Sequence, residues 1–400
     1  GGYLRLLREW RAKLASRLSC PLIEVETDVV VPVRTASQKE ETAARTFRPR
    51  VTKCLPEFLH GKGTLVCLEE SNGELAAQVP WQRTSKEGTA LFDTLGVSLL
   101  DDSDVDGTLA GLDVDRSVQR VSWIRGGQAE ALKRLDEFLS SKLARFSDDR
   151  NNPAIGTAGS NMSAYLHYGH ISPLLIAAKV YAAKQARGST VKAGAESFLE
   201  ELIVRRELAT NFVFYNKNYD SYQGALPNFA LITLNDHRAD KRPALYTREE
   251  LENGRTQDEY WNASQRELRC LGTIHGYMRM YWGKKILEWM PSPEEAFATA
   301  LELNNRYQLD GRGANGFAGV AWCFGKHDMG WAERSVFGKV RYMNAAGLKR
   351  KFDMKGYLAR IASTCDRANQ GKASGTKSKT RQTTLSPPRK RRSVARADDA

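Results

Sequence analysis

The feature that most constrains the fold is a series of helix-forming segments that begins at Gly126 and continues to Thr364. In its first segment, large apolar residues recur mostly at steps of three and four: Leu132, Leu135, Phe138, Leu139, Leu143 and Phe146. Such steps place side chains on one face of an α-helix. The pattern recurs along the chain, with breaks at Pro153, Pro243 and Pro291. The sequence therefore predicts a mainly α protein with an all-helical domain over residues 126–365.

Residues 1–65 show a different pattern. An amphipathic helix is predicted over residues 3–18, a strand from Leu22 to Val33 and a second helix from Gln38 to His60. One strand cannot close a sheet, so we expect the last part of a Rossmann-like α/β domain whose earlier strands are absent. The start at Gly1, without a methionine, favours a truncated chain. Residues 66–125 lack periodicity and predict an inter-domain linker.

Residues 366–400 have few large apolar residues and predict a disordered, basic tail. The chain carries a net charge of +13, and from Lys372 onward nine Lys or Arg residues face two Asp residues. This charge favours a polyanionic partner without requiring one. The run from Pro387 to Ser393, PPRKRRS, is similar to a nuclear import signal, which would place the protein in the nucleus of a eukaryote or the cytoplasm of a prokaryote. Non-specific binding of polyanions is an equal alternative.

Two classes of protein are disfavoured by composition. No run of 18 apolar residues occurs, so we expect no membrane span. The six cysteines lie far apart without a Cys-x-x-Cys pair, so we expect no metal site and free thiols in a reducing compartment.

The segment from Gly159 to Pro173, GSNMSAYLHYGHISP, is a candidate binding site. Ser160 and Ser163 precede an apolar helical pattern, where free backbone N–H groups attract phosphate. A plain serine cap of the helix is the alternative, and for an isolated pair of serines it is the more common one.

The segment from Phe198 to Phe212, FLEELIVRRELATNF, predicts an apolar helix with charges facing outward. Glu201 does not fit that arrangement, because it lies between Leu199 and Ile203 near the face expected to be buried. A buried carboxylate needs a partner or a function.

The stretch RMYWGKKILEW, from Arg279 to Trp289, places two tryptophans seven residues apart on one helical stripe. Two helical turns separate Trp282 from Trp289 by about 10 Å along the axis. Together with Trp261 they can form a row of oxidisable indoles that conducts an electron. Three core tryptophans are the ordinary alternative.

Several long motifs in order give the chain a family resemblance. They are SNMSAYLHYG, EELIVRREL, HGYMRMYWGKKILEW, GKHDMGW and FGKVRYMNAAGLKRKFD. The chain up to about residue 365 resembles the class II cyclobutane pyrimidine dimer DNA photolyases, of the photolyase and cryptochrome family. The resemblance implies that the helical domain binds FAD.

Particular residues acquire roles through this resemblance. It implies that Ser160, Asn161, Met162 and Ser163 cradle FAD near its phosphates. Arg279 and Asp310 match a charge pair beside the flavin ring, where a permanent cation favours the anionic reduced form. Asn304 matches the asparagine that faces flavin N5.

The resemblance also implies an electron path and a substrate site. Trp282 would lie nearest the flavin, Trp261 in the middle and Trp289 outermost. Glu201 matches the acid that hydrogen-bonds a thymine carbonyl of the dimer, and Met280 and Trp322 match residues that pack against the flipped-out lesion. A basic cluster suited to DNA phosphates consists of Arg341, Lys349, Arg350 and Lys351, although a solvated charged surface explains it equally well.

The implied function is that of a deoxyribodipyrimidine photo-lyase, which splits pyrimidine dimers in DNA by electron transfer from photoexcited reduced FAD. We expect a monomer. A cryptochrome-like blue-light receptor would keep the flavin and the tryptophans, although retention of Glu201 and Asn304 disfavours it. A non-catalytic DNA-binding remnant would follow if truncation abolished flavin binding.

Overall fold

The computed structural model describes residues 2–59, 104–156 and 158–375, and its regular structure is almost entirely helical. Its first α-helices are α1 (Arg5–Ala15), α2 (Val33–Ala36), α3 (Ala44–Phe58), α4 (Val105–Ala110), α5 (Gln128–Glu137), α6 (Phe146–Asp149), α7 (Ser163–His167), α8 (Pro173–Arg187) and α9 (Ser189–Leu199). They are followed by α10 (Arg206–Tyr215), α11 (Tyr222–Ala225), α12 (Asn228–Asp236), α13 (Arg248–Glu252), α14 (Glu259–Leu271), α15 (Gly276–Trp289), α16 (Pro293–Tyr307), α17 (Ala314–Cys323), α18 (Ala345–Lys351) and α19 (Met354–Gly375). The helical class predicted from the sequence is confirmed.

Two irregular helical stretches join these elements. A π-helical turn, Phe138–Lys142, and a 3₁₀ turn, Leu143–Arg145, connect α5 to α6, and a second π-helical turn, Glu200–Arg205, connects α9 to α10. Turns of the π type widen a helix locally and are frequent at functional sites. The second one contains the candidate residue Glu201.

Helix α14 shows how local sequence sets the boundaries near the site. The Asp258 carboxylate accepts hydrogen bonds from the backbone N–H groups of Tyr260 (3.1 Å) and Trp261 (3.0 Å), which caps the helix. The helix ends at Gly272, which adopts the left-handed conformation with φ of 63°. A Cβ atom there would lie 2.8 Å from Leu309 Cγ, so glycine allows the chain to turn closely against the end of α16.

The helices pack around two hydrophobic cores. The first combines the N-terminal segment with α5–α9 and includes Val31, Phe47 and Phe138. The second extends from α10 to α19 and includes the fully buried Trp261 and Tyr357. A large cavity among the described residues is lined by residues that belong to both cores.

The strand predicted from Leu22 to Val33 is wrong, because the chain there is irregular and forms no sheet. Within the described ranges the β-type pairing is an isolated bridge between Arg334 and Gly338, so no neighbouring strand is present. The N–H groups of Val30 (2.6 Å) and Val31 (3.4 Å) instead donate to the carboxylate of Glu207 on α10. A buried side chain thus replaces the missing strand partner.

Other boundaries differ in smaller ways. Helix α1 agrees with the prediction for residues 3–18, whereas α3 begins at Ala44, six residues later than predicted. Helix α19 continues to Gly375, ten residues past the predicted end of the helical domain. Most of the predicted linker, residues 60–103, and the tail from residue 376 lie outside the described residues.

The fully buried Glu207 gives the protein a testable pH dependence. Burial raises its pKa from 4.5 to about 8. Between these values the unfolded chain has released the proton while the folded protein still holds it, so stability falls as pH rises through this window. Glu207→Gln should therefore gain stability relative to wild type from pH 5 to pH 8, at about 1.4 kcal/mol per pKa unit.

Urea unfolding followed by circular dichroism at pH 5, 6.5 and 8 measures this difference. Glu302→Gln is a suitable control, because that carboxylate forms a half-exposed ion pair with Arg248. A constant free-energy difference between wild type and Glu207→Gln across the three pH values would contradict the prediction.

Candidate functional site

A cavity of about 2010 Å³ brings together most of the residues singled out in the sequence. Single ligands usually occupy pockets of roughly 300–1,000 Å³, so this cavity has room for a large cofactor and a second ligand. The predicted residues that line it are Ser160, Asn161, Met162, Ser163, Glu201, Arg279, Met280, Asp310, Trp322 and Arg341. Asn304, the three tryptophans and the basic group Lys349, Arg350 and Lys351 do not line it.

One wall is formed by the segment Ser160–Ser163. Asn161 adopts a left-handed backbone with φ of 57°, and the Ser160 hydroxyl accepts a weak hydrogen bond of 3.4 Å from the Met162 N–H. The N-cap of α7 is Met162, whose side chain makes no capping hydrogen bond, so the interpretation of these serines as plain caps is wrong. The turn instead leaves the first N–H groups of α7 free of side-chain caps beside the cavity.

Arg279 and Asp310 face the same cavity from α15 and from the connection between α16 and α17. No ion pair within 4.0 Å joins them in the described part of the chain, although both line the cavity. The Nε atom of Arg279 is buried and has no hydrogen-bond partner among the described residues. A buried, unpaired guanidinium nitrogen is costly, which makes it a natural contact for a ligand that fills the cavity.

Asn304 lies behind this wall and is 2% exposed. Its Nδ2 donates weakly to Asn305 Oδ1 at 3.4 Å. A Cβ atom on Gly316 would lie 2.9 Å from that same Nδ2, so the glycine on α17 leaves room for the amide. Asn305 in turn accepts a hydrogen bond of 2.9 Å from the Arg312 N–H, which fixes the connection that also carries Asp310.

Glu201 differs from its expected environment. Its side chain is 42% exposed and forms an ion pair of 2.8 Å with Arg150, which also lines the cavity. The expectation that Glu201 lies on a buried face is therefore wrong in this structure. The π-helical turn Glu200–Arg205 explains the difference, because helical periodicity does not hold across it. Arg150 is a site residue that sequence reasoning missed.

The three tryptophans form a continuous row in the second core. The rings of Trp261 and Trp282 are stacked, with centroids 6.4 Å apart and an interplanar angle of 4°. The rings of Trp261 and Trp289 meet edge to face at 5.6 Å, so Trp261 lies between the other two. The ring of Tyr246 also meets the ring of Trp289 edge to face, with centroids 5.2 Å apart.

Hydrogen bonds fix the orientation of two of these indoles. Trp261 Nε1 donates to the backbone carbonyl of Trp282 at 3.0 Å, which joins α14 to α15. Trp282 Nε1 donates to the side chain of the buried Gln265 at 2.8 Å. Both rings are therefore held by packing and by a directed contact.

Trp322 lies in the last turn of α17, lines the cavity and is near two cations. The buried Lys284 donates to the Cys323 carbonyl at 2.6 Å. Its Nζ lies 5.1 Å from the centroid of the Trp322 ring. Burial lowers the pKa of Lys284 to about 8. The guanidinium of Arg341 lies 5.8 Å from Trp322 and 4.2 Å from Trp331. Cation–π contacts of this kind orient an indole ring.

Two histidines of the cavity wall were not predicted. His275 caps α15 by accepting from the Tyr277 N–H at 3.3 Å, and burial lowers its pKa to about 4. Burial lowers the pKa of His327 to about 3, and its Nε2 is buried without a partner in the described chain. Both imidazoles are therefore neutral at physiological pH. A single histidine in a helical pattern gives no signal of this kind.

The predicted basic cluster is divided. Lys349, Arg350 and Lys351 form the last turn of α18 and are exposed. Lys351 donates to the hydroxyl of Tyr277, a cavity residue, at 3.0 Å, so this turn adjoins the cavity. Arg341 lies on the cavity wall itself. Cationic side chains also outnumber carboxylates along that wall, an arrangement suited to a polyanionic ligand.

Across residues 2–59, 104–156 and 158–375, no group of three His, Cys, Asp or Glu side chains is arranged to hold a metal ion. Within the same ranges, no helix has the length and apolar character needed to cross a membrane.

Comparison with known proteins gives strong sequence matches. The chain is 46% identical over 365 residues to the deoxyribodipyrimidine photo-lyase of Methanothermobacter thermautotrophicus, covering 91% of this chain and 74% of the relative. It is 44% identical to that of Oryza sativa over 84% of this chain and 62% of the relative, and 43% identical to that of Potorous tridactylus over 86% and 59%. The chain thus spans less than two thirds of the last two relatives.

The solved structures are more distant. A class III photolyase from Agrobacterium tumefaciens is 21% identical, with a TM-score of 0.46 over 59% of this chain and 44% of that one. A Synechocystis cryptochrome is 18% identical, with a TM-score of 0.46 over 62% and 47%. No protein-family model matches the chain.

Proposed function

The chain belongs to the deoxyribodipyrimidine photo-lyase family, and we propose that it splits cyclobutane pyrimidine dimers in DNA with light, using FAD as cofactor. The observation that supports this most directly is a single cavity that combines Arg279, whose Nε has no hydrogen-bond partner among the described residues, with Glu201 and Trp322. A fixed row of three tryptophans begins on the same helix, α15. A binding module would need no such row.

The residues of the cavity fit FAD. When bound, reduced FAD that absorbs light would supply the electron that splits the dimer and would take it back afterwards. The uncapped turn Ser160–Ser163 offers N–H groups and hydroxyls to phosphates. The Nε of Arg279 lacks a partner among the described residues, and its permanent charge suits an anionic ring system. Asn304 would offer a neutral amide that adapts its hydrogen bond to either redox state.

The substrate side of the cavity would hold the flipped dimer. Met280 and Trp322 offer apolar surface against which extruded bases can pack. The Glu201 carboxylate can accept a hydrogen bond from a thymine N–H, and the Arg150 guanidinium beside it can donate to a thymine carbonyl. The Arg150 guanidinium can also stabilise negative charge on that carbonyl, because a preorganised cation acts strongly in a site that excludes water.

The DNA backbone would contact the exposed basic turn Lys349–Lys351 and Arg341 at the cavity rim. Phosphate contacts of this kind position a protein on DNA and make its affinity depend on salt. One cavity and one basic surface suffice for this arrangement, so we propose that the protein acts as a monomer.

Illumination of purified, reduced protein with dimer-containing single-stranded DNA tests the proposed function. Repair restores the ultraviolet absorbance of thymine, which the dimer lacks, and a dark control must show no recovery. A yellow protein that binds the dimer without repairing it under light would instead favour a receptor, and a colourless protein that binds DNA would favour a remnant.

The tryptophan row gives a prediction that is separate from repair. Trp282→Phe and Trp261→Phe each interrupt the row, so light-driven reduction of the oxidised flavin should be blocked. Repair should continue in both variants after chemical reduction, because the row does not contact the dimer. Flavin absorbance under illumination measures the effect.

The control for this experiment is Trp10→Phe. Trp10 is 58% exposed on α1 and lies outside the row. Reduction at the wild-type rate in the Trp261 and Trp282 variants would show that the electron takes another route.

Glu201→Ala should lower the quantum yield of dimer splitting, because the thymine N–H edge loses its acceptor and Arg150 loses the partner that holds its guanidinium near the carbonyl where negative charge develops. Flavin absorbance and affinity for undamaged DNA should change little. Glu200→Ala is a matched control, because the neighbouring carboxylate pairs with Arg48 and Arg205 and does not line the cavity. Loss of flavin with an unchanged yield would mean that Glu201 has a structural role.

We also propose that the basic run Pro387–Ser393 directs the protein to the nucleus. Alanine at Arg389, Lys390, Arg391 and Arg392 should abolish nuclear accumulation of a fluorescent fusion and leave repair of short oligonucleotides unchanged. The matched control removes the same charge at Lys372, Lys377, Lys379 and Arg381. Equal loss from both variants would favour non-specific attraction to polyanions.

A further inference from the structure

The segment 328–342, called the arm below, connects α17 to α18 and forms part of the cavity wall. Two of its large apolar side chains are exposed, Met329 at 69% and Trp331 at 43%. The guanidinium of Arg341 lies 4.2 Å from the Trp331 ring and 5.8 Å from the Trp322 ring. The position of the arm therefore sets where Arg341 lies on the cavity wall and where the exposed Trp331 lies beside it.

The arm contains a backbone conformation that its residues do not favour. Val336 is buried and has φ of 70°, which is a true outlier for a β-branched residue. Gly338 follows with φ of 50°, and a Cβ atom there would lie 2.1 Å from Thr233 Oγ1. Strained conformations persist only where surrounding contacts fix them.

Those contacts come from α12 and the turn after it. Asp240 Oδ2 accepts hydrogen bonds from the Val336 N–H at 2.8 Å and from His237 Nδ1 at 2.7 Å. The other ring nitrogen, His237 Nε2, lies 2.9 Å from Glu333 Oε1 on the arm. Thr233 Oγ1 also accepts from the Lys339 N–H at 3.0 Å.

Both nitrogens of His237 thus face carboxylates, and an imidazole can donate to two acceptors only in its protonated form. The hydrogen bonds to Asp240 and Glu333 raise the pKa of His237 above 6.5. The Val336 N–H and His237 lower the pKa of Asp240 to about 2. The other charged groups nearby are Lys339, which faces Glu333, and Arg242, which faces Asp240.

We propose that His237 is a positioning residue whose imidazolium holds the arm in the conformation that presents Trp331 and Arg341 to dimer-containing DNA. This inference rests on the proposed function, because the arm is assigned to DNA contact through the cavity. Since the pKa of His237 is raised in the folded protein, its stabilising contribution is complete below pH 6.5 and is lost as pH rises through the raised value.

Two measurements on the full chain test the proposal. Amide hydrogen exchange of residues 333–340 measures how firmly the arm is held in the absence of DNA. The affinity for a dimer-containing oligonucleotide, measured in the dark between pH 5.5 and 9, measures how the conformation of the arm affects binding. His237→Gln should speed exchange in the arm. It should also weaken dimer binding about five-fold at pH 6, as expected for the loss of roughly 1 kcal/mol. The difference from wild type should shrink as pH rises.

Further variants separate positioning from general damage. Glu333→Gln alters an exposed carboxylate and removes one partner of His237, so the pH midpoint of wild-type binding should move downward. His170→Gln is the matched control, because that ring accepts from the Gly127 N–H and does not line the cavity. It should keep the wild-type profile.

The outcomes distinguish the two proposals. Wild-type exchange and an unchanged pH profile in both His237→Gln and Glu333→Gln would overturn the role of His237. A wild-type protein without preference for dimer-containing DNA at any pH would overturn the proposed function. In that case the exchange rates would still show whether His237 holds the arm.

Discussion

The close contact between α15 and α17 at Gly283 holds the candidate site together. A Cβ atom at Gly283 would lie 2.5 Å from Cys323 Sγ, so only glycine lets the two helices approach this closely. The next residue, Lys284, crosses the same interface and donates to the Cys323 carbonyl. Helix α15 supplies Arg279 to the cavity and Trp282 to the tryptophan row, and α17 supplies Trp322 to the cavity. One backbone contact therefore sets the distance between the cofactor, electron-transfer and substrate parts of the proposed site.

The helical class could be predicted from the sequence because apolar periodicity is a local property. The grouping of Ser160, Glu201 and Arg279 around one cavity came from long motifs in order, since no local pattern relates residues so far apart. The middle position of Trp261 also came from resemblance, and the ring contacts agree with it. Spacing alone could relate only Trp282 and Trp289, which share a helix.

The errors have physical causes that are non-local. Val29, Val30 and Val31 have strand propensity, but the N–H groups of Val30 and Val31 bond the Glu207 side chain instead of a neighbouring strand. Tertiary contacts thus override strand propensity here. The exposed position of Glu201 follows from a π-helical turn, which an assumed period of 3.6 residues cannot reproduce. Arg150, His327 and Lys284 were missed because each depends on a contact with a segment distant in sequence.

The tryptophan row and the arm are held in place in different ways, and each arrangement suits a different task. The indoles of Trp261 and Trp282 are buried and held by hydrogen bonds, and fixed separations of this kind would suit the proposed electron transfer. The arm at 328–342, by contrast, exposes Trp331 and keeps a strained turn in place through polar contacts of His237 and Asp240. A ligand as large as a flipped dinucleotide must displace water and adjust some part of the wall. Because the row and the arm belong to different elements, such adjustment can occur without changing the distances between the indoles.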